Sequence, residues 1–182
     1  MKVVAFTGSL RKGSFNHALL VAARELAPKG VEVEILDVGT LPLFNQDLEM
    51  NLPNAVVDFK SKVKAADALL IATPEYNYSI PGVLKNAIDW GSRPYGDNSF
   101  EDKPAAIMGT SGGMTATARA QYHLRQTFVF LNVHALNRPE VMVPTAQDKF
   151  DQNGKLTDEK TRLKIKEMLD ALVVWVSRLK KS

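Results

Sequence analysis

Gly8-Ser9-Leu10-Arg11-Lys12-Gly13-Ser14-Phe15-Asn16 puts two glycines, two hydroxyls, two cations and a carboxamide into nine consecutive residues. At a strand-to-helix turn, the unpaired N–H groups of the helix N-terminus would join those donors, a set that suits a phosphate dianion. The loop is not G-x-G-x-x-G. Its glycine spacing fits G-x-x-x-x-G-K-S/T, but Ser14-Phe15 stand where that loop needs Lys and a hydroxyl residue. A monophosphate held by Ser9, Arg11, Ser14 and Asn16 is the better match, with Arg11 able to make a bidentate contact. The same residues would also make an ordinary turn in which Ser14 caps the helix and Arg11 is solvated. The loop alone leaves both readings open.

Two further segments carry unusual chemistry. Thr73-Pro74-Glu75-Tyr76-Asn77-Tyr78-Ser79-Ile80-Pro81-Gly82 is a polar and aromatic stretch bracketed by prolines, which stiffen it. Such a loop suits a flat heteroaromatic, which takes hydrogen bonds at its edge and apolar contact on its face. A helix start, with Ser79 as N-cap and Pro81 near the first turn, accounts for those two residues but not for Glu75-Tyr76-Asn77. Thr110-Ser111-Gly112-Gly113-Met114-Thr115 holds two consecutive glycines, which let main chain approach a ligand closely.

All three segments must be positioned by regular elements, and the pattern supplies them. Short β-branched runs predict strands at 2–7, 31–36, 67–73, 104–109 and about 133–143. Apolar residues at helical spacing predict helices at 15–28, 54–66, 81–91, 115–131 and 158–180. Strict alternation implies an α/β chain with a five-stranded parallel sheet covered on both faces. In such sheets ligands bind beyond the carboxyl ends of the strands, which is where the three loops fall. The connection from Asp37 to Pro53 carries little polar chemistry and reads as a packed surface loop.

The remaining properties mostly exclude. The chain of 182 residues fits one domain over 1–182. It has no cysteine, which removes disulfides, thiolate metal sites and a cysteine nucleophile, and makes an intracellular, cytoplasmic address the default. No leader and no membrane-length apolar stretch are evident. The net charge of +3 is spread along the chain apart from Lys180-Lys181, which suits small anions better than nucleic acid. His17, His123 and His134 lack metal-ligand spacing, and Ser111 lacks the G-x-S-x-G elbow of a hydrolase. A receiver domain would need acidic residues where Thr7-Gly8-Ser9 stand.

Three loops together resemble the NADPH-dependent FMN reductase family: Gly8 to Asn16, Pro74 to Gly82 followed by Leu84-Lys-Asn-Ala-Ile-Asp-Trp90, and Ser111-Gly112-Gly113. The resemblance runs essentially end to end and is nearest to the bacterial quinone and chromate reductases. It implies a flavodoxin-like three-layer doubly wound fold, sheet order 2-1-3-4-5, with non-covalent FMN. It also implies that Ser9, Arg11, Ser14, Phe15 and Asn16 hold the FMN phosphate. Pro74, Glu75, Tyr76 and Asn77 would line the isoalloxazine, and Ser111, Gly112 and Gly113 its pyrimidine edge. NADPH or NADH would donate hydride, and an acceptor would then take its place on one shared face, so no side chain is expected to be catalytic and no metal is needed. Quinones are the implied acceptors, with chromate, azo compounds and free flavin as further candidates. The resemblance further implies a homo-oligomer, a dimer or tetramer, in which Arg119 and Tyr122 meet a neighbour's acidic residue, for which Glu140 is the candidate. A flavodoxin-type electron carrier or a flavin-binding redox module is the competing reading. The basic charge balance and Arg11 in the first loop argue against a carrier.

Overall fold

The computed structural model describes residues 1–180, so Lys181 of the terminal basic pair lies outside the described residues. Six parallel strands form one sheet: β1 (Lys2–Thr7), β2 (Glu32–Ile35), β3 (Ala68–Ala72), β4 (Pro104–Thr110), β5 (His134–Ala135) and β6 (Val141–Val143). Their order is β2-β1-β3-β4-β5, with β6 also pairing β4. Five helices connect them: α1 (Phe15–Glu25), α2 (Asn54–Ala65), α3 (Gly82–Gly91), α4 (Ala118–Leu131) and α5 (Glu159–Leu179). This is the flavodoxin-like order expected.

Side-chain alternation along the central strands feeds two cores. Val4 and Phe6 of β1, Leu69 and Ile71 of β3, and Ile107 of β4 pack under α2, α3 and α4. Val3 and Ala5, Leu70, and Met108 point the other way, against α1 and α5. Every residue of β3 and β4 is buried, which explains why both read as continuous apolar runs.

One expectation needs correction. The run 133–143 is not one strand but two, β5 pairing the start of β4 and β6 pairing its end. Pro139 sits between them and has no N–H to give to a ladder. The long connection after β2 is a packed loop, as expected. Asn86 of α3 accepts from Phe44 N (2.7 Å) and donates to the Pro42 carbonyl (2.9 Å), which Trp90 Nε1 also reaches (2.7 Å).

Two helices are capped from their own sequence. Ser14 Oγ accepts from His17 N at α1. Asp158 accepts from both Thr161 N and Thr161 Oγ1 at α5. The Thr161 hydroxyl and then Lys149 hold the Asp158 carboxyl down at about 2.

Candidate functional site

The three loops lie at the carboxyl ends of β1, β3 and β4, adjacent strands in the sheet. The first leaves β1 with Gly8 N bonded to the Ala72 carbonyl (3.1 Å), which ties it to β3. It turns back where Ser14 N donates to the Arg11 carbonyl (3.1 Å). Gly13 makes that reversal in the left-handed region, φ +69°, which an L side chain rarely adopts. Ser9 and Ser14 are buried, and the Arg11 side chain is exposed above the Phe15 ring, 5.4 Å from its centroid. Phe15 and Asn16 begin α1, so helix geometry gives their N–H groups no intrahelical partner. Hydroxyls, helix N–H groups and a guanidinium thus meet, with no carboxylate in residues 8–16. The donor set fits a phosphate dianion.

Two residues of that loop act differently from what the sequence implies. The Asn16 carboxamide is spent on β4: Nδ2 donates to the Thr110 carbonyl and Thr110 N donates to Oδ1, both at 3.0 Å and buried. Asn16 is therefore a staple between the first and third loops, and only its main-chain N–H remains for a ligand. Phe15 turns its ring into the α1/α5 core, stacked on Phe150 at 4.8 Å, so its contribution to a phosphate site is likewise its N–H.

The second loop is a minimal hairpin. Tyr76 and Ser79 exchange both main-chain hydrogen bonds, 3.0 and 2.9 Å. Asn77 and Tyr78 between them both have positive φ, 50° and 66°, the requirement of the tightest two-residue turn. Tyr76 is half exposed and Asn77 exposed, so both present side chains at the open edge. Ser79 does not cap α3, because Pro81 is the capping residue. Its Oγ instead meets His123 Nδ1 at 3.0 Å.

The Glu75 side chain has partners of its own. Its carboxylate is turned away from the open edge and caps α4, accepting from Arg119 N (3.0 Å) and Ala120 N (3.2 Å) while pairing with the Arg119 guanidinium. Burial pushes this carboxyl up, but Arg119 and the two N–H donors outweigh burial and leave it below its ordinary value. The Arg119 guanidinium also lies 3.8 Å from the Tyr78 ring centroid. Arg119 is thus engaged within its own chain, and so is Tyr122, which donates to Glu140 Oε1 at 2.9 Å. Arg119, Tyr122 and Glu140, the three residues expected at a contact between chains, thus lie on partly exposed surface with these partners inside the chain.

The third loop opens from β4. Ser111 is tied to β6, its N–H reaching the Val143 carbonyl (3.3 Å) and its own carbonyl accepting from Ala146 N (3.0 Å). Gly112 and Gly113 carry no such crowding: a Cβ built on either meets nothing closer than 3.6 Å. Main chain lies open there, as a planar ring edge would need. Gly109, just before, is the opposite case. A Cβ there would collide with Thr117 Oγ1 and the Thr73 carbonyl oxygen. Thr117, buried and at φ 72°, packs against that gap and accepts from Gln121 Nε2. Sequence reasoning missed Thr117 and Thr110, since neither a left-handed threonine nor a main-chain partner leaves a signal in residue type.

Comparison with known proteins agrees with this geometry. Residues 1–148 match the family described as NADPH-dependent FMN reductase. A protein of Pseudomonas aeruginosa named NAD(P)H-dependent FMN reductase is 55% identical over 181 residues, 99% of this chain and 97% of that one. A 2-hydroxy-1,4-benzoquinone reductase of Burkholderia sp is 43% identical over 176 residues, 97% and 96% of the two chains. The solved structure of FerB, a flavoenzyme NAD(P)H:(acceptor) oxidoreductase of Paracoccus denitrificans, superposes with a TM-score of 0.89 at 40% identity, covering 97% of each chain.

Proposed function

This chain belongs to the NADPH-dependent FMN reductase family, and we propose that its three loops hold FMN for the NAD(P)H-dependent reduction of quinones. The observation that carries the reading is the donor set beyond β1 and its fixed relation to the open glycines beyond β4, set by the Asn16–Thr110 pair. It is an oxidoreductase, a single FMN-binding domain over residues 1–182. Bound there, FMN would supply hydride and two-electron transfer between NAD(P)H and an acceptor.

The protein's residues bind and orient. Ser9, Ser14 and Arg11, with the N–H groups of Phe15 and Asn16, hold the phosphate. Tyr76 and Asn77, stiffened by Pro74, frame the ring from one side, and the main chain of Ser111, Gly112 and Gly113 from the other. N–H groups there would stabilise negative charge on the bound ring. Glu75 is kept anionic, with its charge paired to Arg119 and the N–H groups that open α4.

Quinones are the principal acceptors, with chromate, azo compounds and free flavin as further ones, because an open face selects weakly by shape. The cysteine-free composition suits a reducing compartment, and the cytoplasm is the proposed location. Among the described residues no helix is long and apolar enough to cross a membrane. A homo-oligomer is part of the proposal; exposed Tyr95, Val129 and Phe130 support association, and Arg119, Tyr122 and Glu140 are the proposed polar contacts with a neighbour.

The test is spectroscopic. Purified protein loaded with FMN should retain flavin absorbance through gel filtration, bleach on anaerobic NADPH and recover on adding a quinone. Retained flavin that NAD(P)H does not bleach would favour a flavodoxin-type carrier, and failure to retain flavin would overturn the binding reading. Arg11→Ala should weaken FMN about tenfold, the worth of one charge-assisted contact. Unchanged affinity would remove Arg11 from the phosphate site.

A further inference from the structure

The loop assigned to the flavin phosphate also forms one wall of a second space. A cleft of about 510 Å³ lies between the ends of β1 and β2, a size usual for small-molecule sites. From the β1 side come Ser9, Leu10 and Arg11, with His17 of α1. From the β2 side come Asp37, Val38, Gly39 and Thr40. Leu10 lies against Gly39 yet stays 60% exposed, which leaves apolar surface at the rim.

The charges on the two walls differ. Arg11 of the phosphate loop and His17 of α1 line one wall, whereas Asp37 lines the other. Asp37 Oδ1 accepts from Gly39 N at 2.8 Å, and its Oδ2 has no partner among the described residues. A simple anion would be repelled by that carboxylate. A nucleoside phosphate satisfies both walls: phosphate beside the Arg11 guanidinium and the His17 imidazole, ribose hydroxyls donating to the carboxylate, and a base over Leu10. Carboxylates accept from ribose hydroxyls in the same way in dinucleotide-binding Rossmann folds, whose glycine loop this chain lacks.

We infer that the cleft is an adenylate subsite continuous with the flavin phosphate loop, so that the chain accepts FAD as well as FMN. The flavin-side phosphate of FAD sits in residues 9–16, its second phosphate meets Arg11 and His17, and its adenosine fills the cleft against Leu10 and Asp37. The inference rests on the assignment of that loop to the FMN phosphate.

Equilibrium dialysis of the apoprotein against FMN and against FAD, read by flavin absorbance, tests it without any turnover. FAD should bind within about tenfold of FMN. Thr40→Trp, which fills the cleft, should weaken FAD about tenfold or more, and Asp37→Ala about fivefold, while each leaves FMN within about twofold. FMN binding serves as the fold control for both variants. FAD weaker than FMN by more than about tenfold on the unsubstituted chain, or FAD affinity indifferent to both substitutions, overturns the inference. Binding of free AMP to FMN-loaded protein that excludes FAD overturns it too, and gives the cleft to a separate nucleotide. Failure of FMN itself to bind would overturn the phosphate assignment, whereas FMN binding without FAD overturns the adenylate subsite alone.

Discussion

Asn16 shows how a residue can have the right chemistry for a ligand and use it on the protein. Its carboxamide satisfies one buried donor and one buried acceptor of Thr110, 94 residues away. Removing it leaves both unpaired in a dry junction, where each costs about 1–3 kcal/mol. Asn16→Ala should therefore lower stability by about 2–3 kcal/mol, a fall in Tm of about 5–10 °C for a chain of this size. FMN affinity should fall with it, since the first and third loops lose their common anchor. Calorimetry and flavin titration measure the two effects. Unchanged stability would mean that water replaces the amide without loss. Asn16→Asp should be worse than Ala, because it sets a carboxylate oxygen against the Thr110 carbonyl.

At the scale of elements, α4 and the β3–α3 loop form one unit. α4 has no cap from its own sequence: Thr117 makes no side-chain cap bond, and Glu75 supplies it across 44 residues. Because the folded carboxyl lies below its ordinary 4.5, an unfolded chain takes up the proton first as pH falls. Glu75 then contributes its full stabilisation above about pH 4.5, and loses it as pH drops through the lower folded value. Glu75→Gln should cost about 1–2 kcal/mol at pH 7, a modest figure because Arg119 is half exposed and screened. The gap between the variant and the unsubstituted chain should narrow as pH falls below 4.5 and close only beneath the lower folded value. Denaturant melts across pH 3 to 7 report the difference, and a constant gap at every pH would exclude a charge effect.

The same element explains what the sequence could and could not reveal. The strands and helices were legible because periodicity is local: β1, β3 and β4 fall within a residue or two of expectation, as do α2, α3 and α5. The positions of the three loops followed from alternation alone. The partners of Asn16, Glu75 and Arg119 were not legible, since each pair joins residues brought together only by the finished sheet. The start of α4 was misplaced by three residues because Ala116 and Thr117 take left-handed conformations for which nothing in their types prepares the reader.

For the molecule as a whole, two cores on opposite faces of one sheet mean that the loops are held by elements buried on both sides. A ligand that bridges those loops stabilises the entire fold by mass action. FMN at a hundred times its Kd should add about 2.7 kcal/mol and raise Tm by about 5–10 °C. Riboflavin, which lacks the phosphate, should give a much smaller rise at the same concentration. Equal shifts from the two would show that the first loop contributes nothing. The Asn16–Thr110 pair carries one more consequence. On its β4 side it uses only main-chain atoms, so every side chain from Ser111 to Thr115 is free to vary without cutting the bridge. With the flavin placed as proposed, acceptor preference can drift in evolution, or be re-engineered, at one end of the site while the loop proposed for the phosphate stays moored.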